Sequence, residues 1–367
     1  MRIVGGIGVP HTPQFPVWHA QGAPIAADLD RLYGELARHL DEMAPDVVVY
    51  FTTDHYNLFF ESVPIFSIGV AESTRGPRDH PALEQYDLRI DGALADRIQE
   101  HVVRAGFDVG KTHEFEVDHA ITVPWHFMRP QVDVPIVPIF VSALIPPLPS
   151  AERCYALGRA VREAVERAPG DERVVAMGTG SFSLDIGGPR MSASSHVGVP
   201  APAWVDEILR LMRAGDVAEL VRRATPQQLA EAGSAGGEVL DWIAMLGMLD
   251  PAPAVFLEAQ MELGHAYGVW RQDAREDEMG VYAVDKLCYR LMYEPDLREA
   301  LTRAPEETLR AIRPPLTDEQ IEALLAGDVG RLSKMGANHF LLHNLGRLEL
   351  LGLDLTTYAD RIRAAYR

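Results

Sequence analysis

Cysteine is nearly absent from this chain: its 367 residues contain only Cys154 and Cys288. Two isolated thiols exclude a disulfide framework and a Cys-rich metal site, and they fit a reducing cytoplasmic setting. No Lys/Arg-rich run is present either, and 53 acidic residues against 34 basic ones give a formal net charge of −19. That balance argues against nucleic acid and against an anionic membrane surface as partners. No apolar run is long enough to span a bilayer, and no basic-then-apolar leader opens the sequence, so the expected location is the cytoplasm. With thiols this scarce, any metal has to be held by histidine and carboxylate.

What is present is ordinary for a globular protein: 47% hydrophobic and 24% charged residues, in a chain long enough for a large core and one or two domains. Up to about residue 275, strand-like runs (134–141, 173–177) alternate with amphipathic helical patterns (25–43, 150–167). The alternation predicts an α/β fold, a sandwich domain over 1–275 built around a largely buried sheet. The charge-rich stretch 270–280 reads as a linker. From Val281 to residue 367 the pattern is helical, with a turn at Arg313-Pro314-Pro315-Leu316 and Thr317 as cap of a helix opening at Asp318, so 281–367 is read as a small all-α domain.

Two apolar runs stop on a histidine: Met1 to Val9, then Pro10-His11, and Val47 to Phe51, then Thr52-Thr53-Asp54-His55. Runs of Val and Ile bounded by Gly, Pro and Asp read as buried parallel strands, and the residue just beyond such a strand faces the crevice at the sheet's C-terminal edge. Two imidazoles then share one rim. A mononuclear oxygen-activating iron takes two imidazoles and one carboxylate, leaving positions open for substrate and dioxygen. Glu238 is the carboxylate candidate, because glycines up to Gly237 allow close backbone approach and Glu238 opens an apolar stretch of helical spacing. The same segment also fits an ordinary first-turn acid.

Five motifs follow one another in a telling order: Pro10-His11-Thr12-Pro13, Asp54-His55, Glu116-Val117-Asp118-His119 to Pro124, Gly178 to Ser183, and Gly237-Glu238 before Trp242. In that order they resemble the catalytic subunit of the class III extradiol ring-cleaving dioxygenases, of the protocatechuate 4,5-dioxygenase type. Asp285 to Cys288, Leu316 to Gln320 and Gly327 to Asn338 resemble that enzyme's small α subunit, fused behind the catalytic part as in gallate dioxygenase. The resemblance implies that His11, His55 and Glu238 bind Fe(II), with a small dihydroxylated or aminohydroxylated aromatic and dioxygen as reactants. It further implies a homodimer whose helical tail serves as a lid. Where the family has a catalytic histidine this sequence has Leu184, which moves no proton, unless the register slips toward His196. His119 is then the remaining acid/base, with Asp118 available to orient it.

Three accounts meet that departure: His119 suffices for the substrate, the same iron gives an altered outcome, or the chain is a catalytically inactive metal-binding or regulatory homologue. An inactive homologue is expected to lose ligands, and this chain keeps all three. Other residues read more plainly. The glycine loops 5–8 and 178–180 lack the dinucleotide fingerprint, and Ser181 and Ser183 lack a hydrolase elbow, so these serines are expected to bond backbone or substrate. His126, His265, His339 and His343 read as surface or core. Trp125, Trp242 and Trp270 read as core, with Trp125 also a candidate for lining a flat aromatic pocket.

Overall fold

The computed structural model describes residues 1–80, 82–192, 197–312 and 316–366, apart from the side chains of 273–280. Its framework is an eight-stranded sheet in the order Phe256–Gln260, His265–Arg271, Arg2–Val9, Arg173–Thr179, Val47–Thr52, Ile136–Val141, Phe66–Gly69, Val109–Thr112. The four inner strands, Arg2–Val9 to Ile136–Val141 in that order, run parallel. His265–Arg271 and Phe66–Gly69 flank them antiparallel.

Every residue of Val47–Thr52 and Ile136–Val141 is buried, which is why these strands read as unbroken apolar runs. Side chains alternate between two cores because successive residues of a strand point to opposite faces. Val47, Val49 and Phe51 join a core with helices Gly92–Arg104, Ala151–Arg167 and Val239–Met248. Val48 and Tyr50 join the opposite core, with helices Ala26–Met43 and His119–Met128. Trp125, Trp242 and Trp270 are all fully buried in these cores, so Trp125 packs structure and does not line a site.

The chain divides into two compact units, Met1–Gln272 and Asp273–Arg367. The stretch 270–280 is no linker: a strand runs through it to Arg271, and a helix occupies Asp273–Tyr293. Charge-rich composition resembles a loop, yet Ala, Arg, Glu and Met are good helix formers and no proline interrupts them. The second unit is all helical around its own core, which includes Leu287, Leu291, Leu324, Leu332 and Leu345. Thr317 caps the helix Asp318–Leu325 in a reciprocal box with Gln320. The turn read at 313–315 lies outside the described residues. No described helix is long and apolar enough to cross a membrane.

Helices Ala151–Arg167 and Val239–Met248 approach most closely at Gly158, where an added Cβ would meet the Ala244 carbonyl oxygen at 1.9 Å. Gly34, on the exposed side of helix Ala26–Met43, has nothing within 4 Å. Gly158→Ala is therefore expected to destabilise the protein by about 1–3 kcal/mol through overpacking. Gly34→Ala is expected to stabilise it by about 0.5–1 kcal/mol through helix propensity. Chemical denaturation midpoints of the two variants check both signs.

Candidate metal centre

The strands Arg2–Val9 and Val47–Thr52 lie on either side of Arg173–Thr179 and end at the same edge. Each end is pinned. Tyr33 Oη donates to the Pro10 carbonyl at 2.8 Å, and Gly180 N donates to the Val9 carbonyl at 3.0 Å. Beyond the second strand, the Asp54 carboxylate accepts from the backbone N–H groups of Asn57, Leu58 and Phe59, closing a turn around His55. The rings of His11 and His55 consequently meet edge to face, 5.0 Å apart. His119, the first residue of the helix His119–Met128, brings a third ring within 4.2 Å of His55 and 5.4 Å of His11. One nitrogen from each of the three lies within 4.8 Å of the others, a cluster able to hold a metal ion.

Glu238 reaches the same point from the opposite core. It closes the short 3₁₀ turn Gly236–Glu238 and precedes the helix Val239–Met248 rather than lying in its first turn. A Cβ at Gly237 would fall 2.0 Å from the Ala143 carbonyl oxygen, so the close approach read from the glycines is real. At Gly180, where φ is +129°, a Cβ would fall 2.5 Å from that of Glu238. Oε1 of Glu238 lies 3.4 Å from Nε2 of both His11 and His55, while Oε2 accepts from Ser181 N at 2.6 Å.

Donors bound to one ion at ~2.1 Å and right angles are roughly 3 Å apart, so two imidazole nitrogens and Oε1 fit a shared divalent metal with little movement. Nδ1 of His11 is buried without a hydrogen-bond partner among the described residues. Asp118 steadies His55: its Oδ2 accepts from His55 Nδ1 at 3.0 Å and from His55 N at 2.9 Å, while Oδ1 caps the following helix at Ala120 N. Such carboxylate–histidine pairs fix the ring orientation of metal ligands. Asp118 therefore does not orient His119, contrary to the reading from sequence. That task belongs to Asp79, which accepts from His119 Nδ1 in a short contact and from His119 N at 3.1 Å. Nothing in the Gly76-Pro77-Arg78-Asp79-His80 loop gave a signal for it.

Charge follows from this wiring. Burial alone would raise the Glu238 carboxyl, but His11 and His55 reverse the effect and hold it well below the usual carboxylate range; His55 does the same for Asp118. Burial opposes protonation of His55, yet hydrogen bonds to Asp118 and Glu238 prevail and raise its pKa well above that of a free imidazole. Burial lowers His119, and the neighbouring His55 lowers it further.

A cavity of about 410 Å³ opens beside this cluster. Leu184, at the position where the resemblance places a histidine, is buried and lines it. His196, the alternative to it, lies outside the described residues. Ser181 lines the cavity, while Ser183 bonds only backbone, donating to Ala232 O and accepting from Ala201 N. Trp18, unassigned from sequence, and His265, read there as surface or core, line it as well. His265 is buried, its Nε2 lies 3.2 Å from Thr12 Oγ1, and burial pushes its pKa down to about 3. It opens a strand antiparallel to Arg2–Val9, so its strand begins at the rim where the parallel strands end. A search for residues that follow strands passes over it.

Residues 5–269 match the family described as the catalytic LigB subunit of aromatic ring-opening dioxygenase. Known proteins similar to this chain include 2,3-dihydroxyphenylpropionate/2,3-dihydroxicinnamic acid 1,2-dioxygenases. That of Klebsiella pneumoniae (strain 342) is 26% identical over 295 residues, covering 69% of this chain and 88% of the relative. That of Photorhabdus laumondii is 25% identical over 258 residues, covering 60% and 80%. That of Escherichia coli (strain SMS-3-5) is 25% identical over 295 residues, covering 69% and 88%.

The raised pKa of His55, with Asp118 beside one ring nitrogen and Glu238 beside the other, favours its protonated form while no metal is bound. A metal needs the Nε2 lone pair. Uptake of a divalent ion near pH 7 should therefore release about one proton per site, a release that fades as pH rises through the His55 value. Asp118→Asn removes one raising partner and should lower the release. Calorimetric titration of the metal in buffers of different ionisation enthalpy measures it, and an unchanged proton count in the variant would sink the assignment.

Proposed function

This chain belongs to the LigB family of catalytic subunits of aromatic ring-opening dioxygenases, extradiol-type oxidoreductases, and from that premise we propose that His11, His55 and Glu238 bind Fe(II) while His119 serves as the acid/base. The observation that carries the reading is the placing of one carboxylate oxygen, Oε1 of Glu238, 3.4 Å from Nε2 of two separate histidines. A dication is better matched by two imidazoles and this anion than by three neutral imidazoles, and the choice leaves His119 free. Bound there, Fe(II) would bring an aromatic diol and dioxygen onto one centre and make the diol's hydroxyls more acidic.

The protein's own part is to hold and move a proton. With Nδ1 of His119 donating to Asp79, its Nε2 carries the lone pair that accepts a hydroxyl proton, and Asp79 stabilises the resulting imidazolium. Leu184 itself offers the cavity no donor and no acceptor. Retention of the three ligands, together with a carboxylate behind each of His55 and His119, supports an active enzyme over an inactive metal-binding or regulatory homologue. Within this proposal, the helical unit that follows the matched residues is the small-subunit-like part, and the fused chain is a homodimer.

Anaerobic Fe(II) loading followed by oxygen uptake with catechols, gallates and aminophenols tests the reading. His11→Ala and His55→Ala should each lose stoichiometric iron while keeping the fold by circular dichroism; full iron occupancy in both would refute the ligand set. His119→Ala should keep iron and lose about 10²–10⁴-fold in turnover. Iron-replete protein that binds catechols and consumes no oxygen with any of them would establish the inactive alternative.

A further inference from the structure

We propose that the substrate is a catechol whose ring substituent is uncharged and hydrophobic, alkyl or aryl, and not one that carries a carboxylate. The inference rests on the reading of the iron site above and concerns the wall beside it. Beyond the proposed ligands and His119, the cavity is lined by Trp18, Leu184, Ile186, Val197 and Leu263, with Thr12, Gln14, Ser181 and His265 as its uncharged polar members. Among the described lining residues none is Lys or Arg. The anionic side chain in the wall is Glu238, whose charge the bound metal would offset. His265 is neutral, with Nε2 beside the Thr12 hydroxyl and its ring edge-on to Phe15. Arg190, the nearest arginine in sequence to Leu184 and Ile186, is spent elsewhere: its guanidinium donates to the carbonyls of Ala230 and Glu231 and lies 3.7 Å from Asp185.

A carboxylate on the substituent, kept off the iron by the chelating diol, would give up water and meet no Lys or Arg among the described lining residues. An alkyl or aryl group would gain contact with five apolar side chains in a cavity of about 410 Å³, within the range of small-molecule sites. Leu184 is central to the contrast. A histidine there would supply a polar, protonatable edge, and leucine extends the apolar wall to the ligands.

The test uses a matched pair of ligands that differ mainly in the carboxylate: 3-propylcatechol and 3-(2,3-dihydroxyphenyl)propionate. Each is titrated calorimetrically, without oxygen, into the Fe(II)-loaded full chain. The neutral ligand is expected to bind at least about tenfold tighter. Ile186→Arg places a cation at the more than half-exposed mouth of the cavity, where it can be accommodated without disturbing the core, and should shrink or reverse that ratio. Equal or tighter binding of the propionate by the parent, or no measurable binding of either ligand, overturns the inference. Oxygen uptake is measured separately with both compounds and with catechol. Turnover together with preference for the propionate removes this inference and leaves the dioxygenase reading standing. Absence of uptake with every catechol removes the dioxygenase reading, while the binding ratio still decides the substituent preference.

Discussion

A carboxylate buried among imidazoles is the constraint from which the rest of the site follows. Glu238 is almost wholly removed from water, and an isolated anion in that position would cost several kcal/mol even after relaxation. Three groups offset the cost: Nε2 of His11, Nε2 of His55 and the N–H of Ser181. Each comes from a different segment at one edge of the sheet, so the fold must bring all three to the carboxylate before the site exists. Asp118 and Asp79 extend the same pattern outward, since each takes the outer nitrogen of an imidazole and thereby aims the inner one.

The sheet supplies the edge on which this depends. Parallel strands bury both faces, which leaves their ends as the places where polar side chains can collect without disrupting a core. His11 and His55 use those ends. Helix Val239–Met248 adds Glu238 from one face and helix His119–Met128 adds His119 from the other, each tied to its core by large apolar residues such as Trp242 and Trp125. The proposed ligand set is thus held by elements whose own positions are fixed by packing, a requirement for geometry that tolerates little slack.

The cavity is lined by both polar and apolar side chains. Its lining combines His11, His55, His119 and Glu238 with the apolar Trp18, Leu184, Ile186, Val197 and Leu263. Such a lining would suit the proposed substrate, with a polar diol at the metal ligands and an apolar body beside the apolar residues. Burial of His11, His119 and Glu238 also strengthens the electrostatic interactions among them.

Much of this was legible in the residues themselves. Alternating strand and helix patterns marked the α/β fold, and the strand and helix limits at 173, 26–43 and 151–167 fall within a residue or so of the reading. Apolar runs that end on His11 and His55 placed two imidazoles on one rim because a parallel strand has a defined exit. Thr317 announced a helix start through its own side-chain chemistry, and the structure adds the answering bond with Gln320. Periodicity and capping are local, and a sequence states them directly. Pairing between distant segments is not local. Only the tertiary structure could decide that Asp118 serves His55 and Asp79 serves His119, that an antiparallel strand brings His265 to the rim by its first residue, and that Trp18 faces the cavity while Trp125 does not. Those outcomes depend on which segments lie beside one another in three dimensions, and on side chains whose identity gives no hint of the neighbour they will meet.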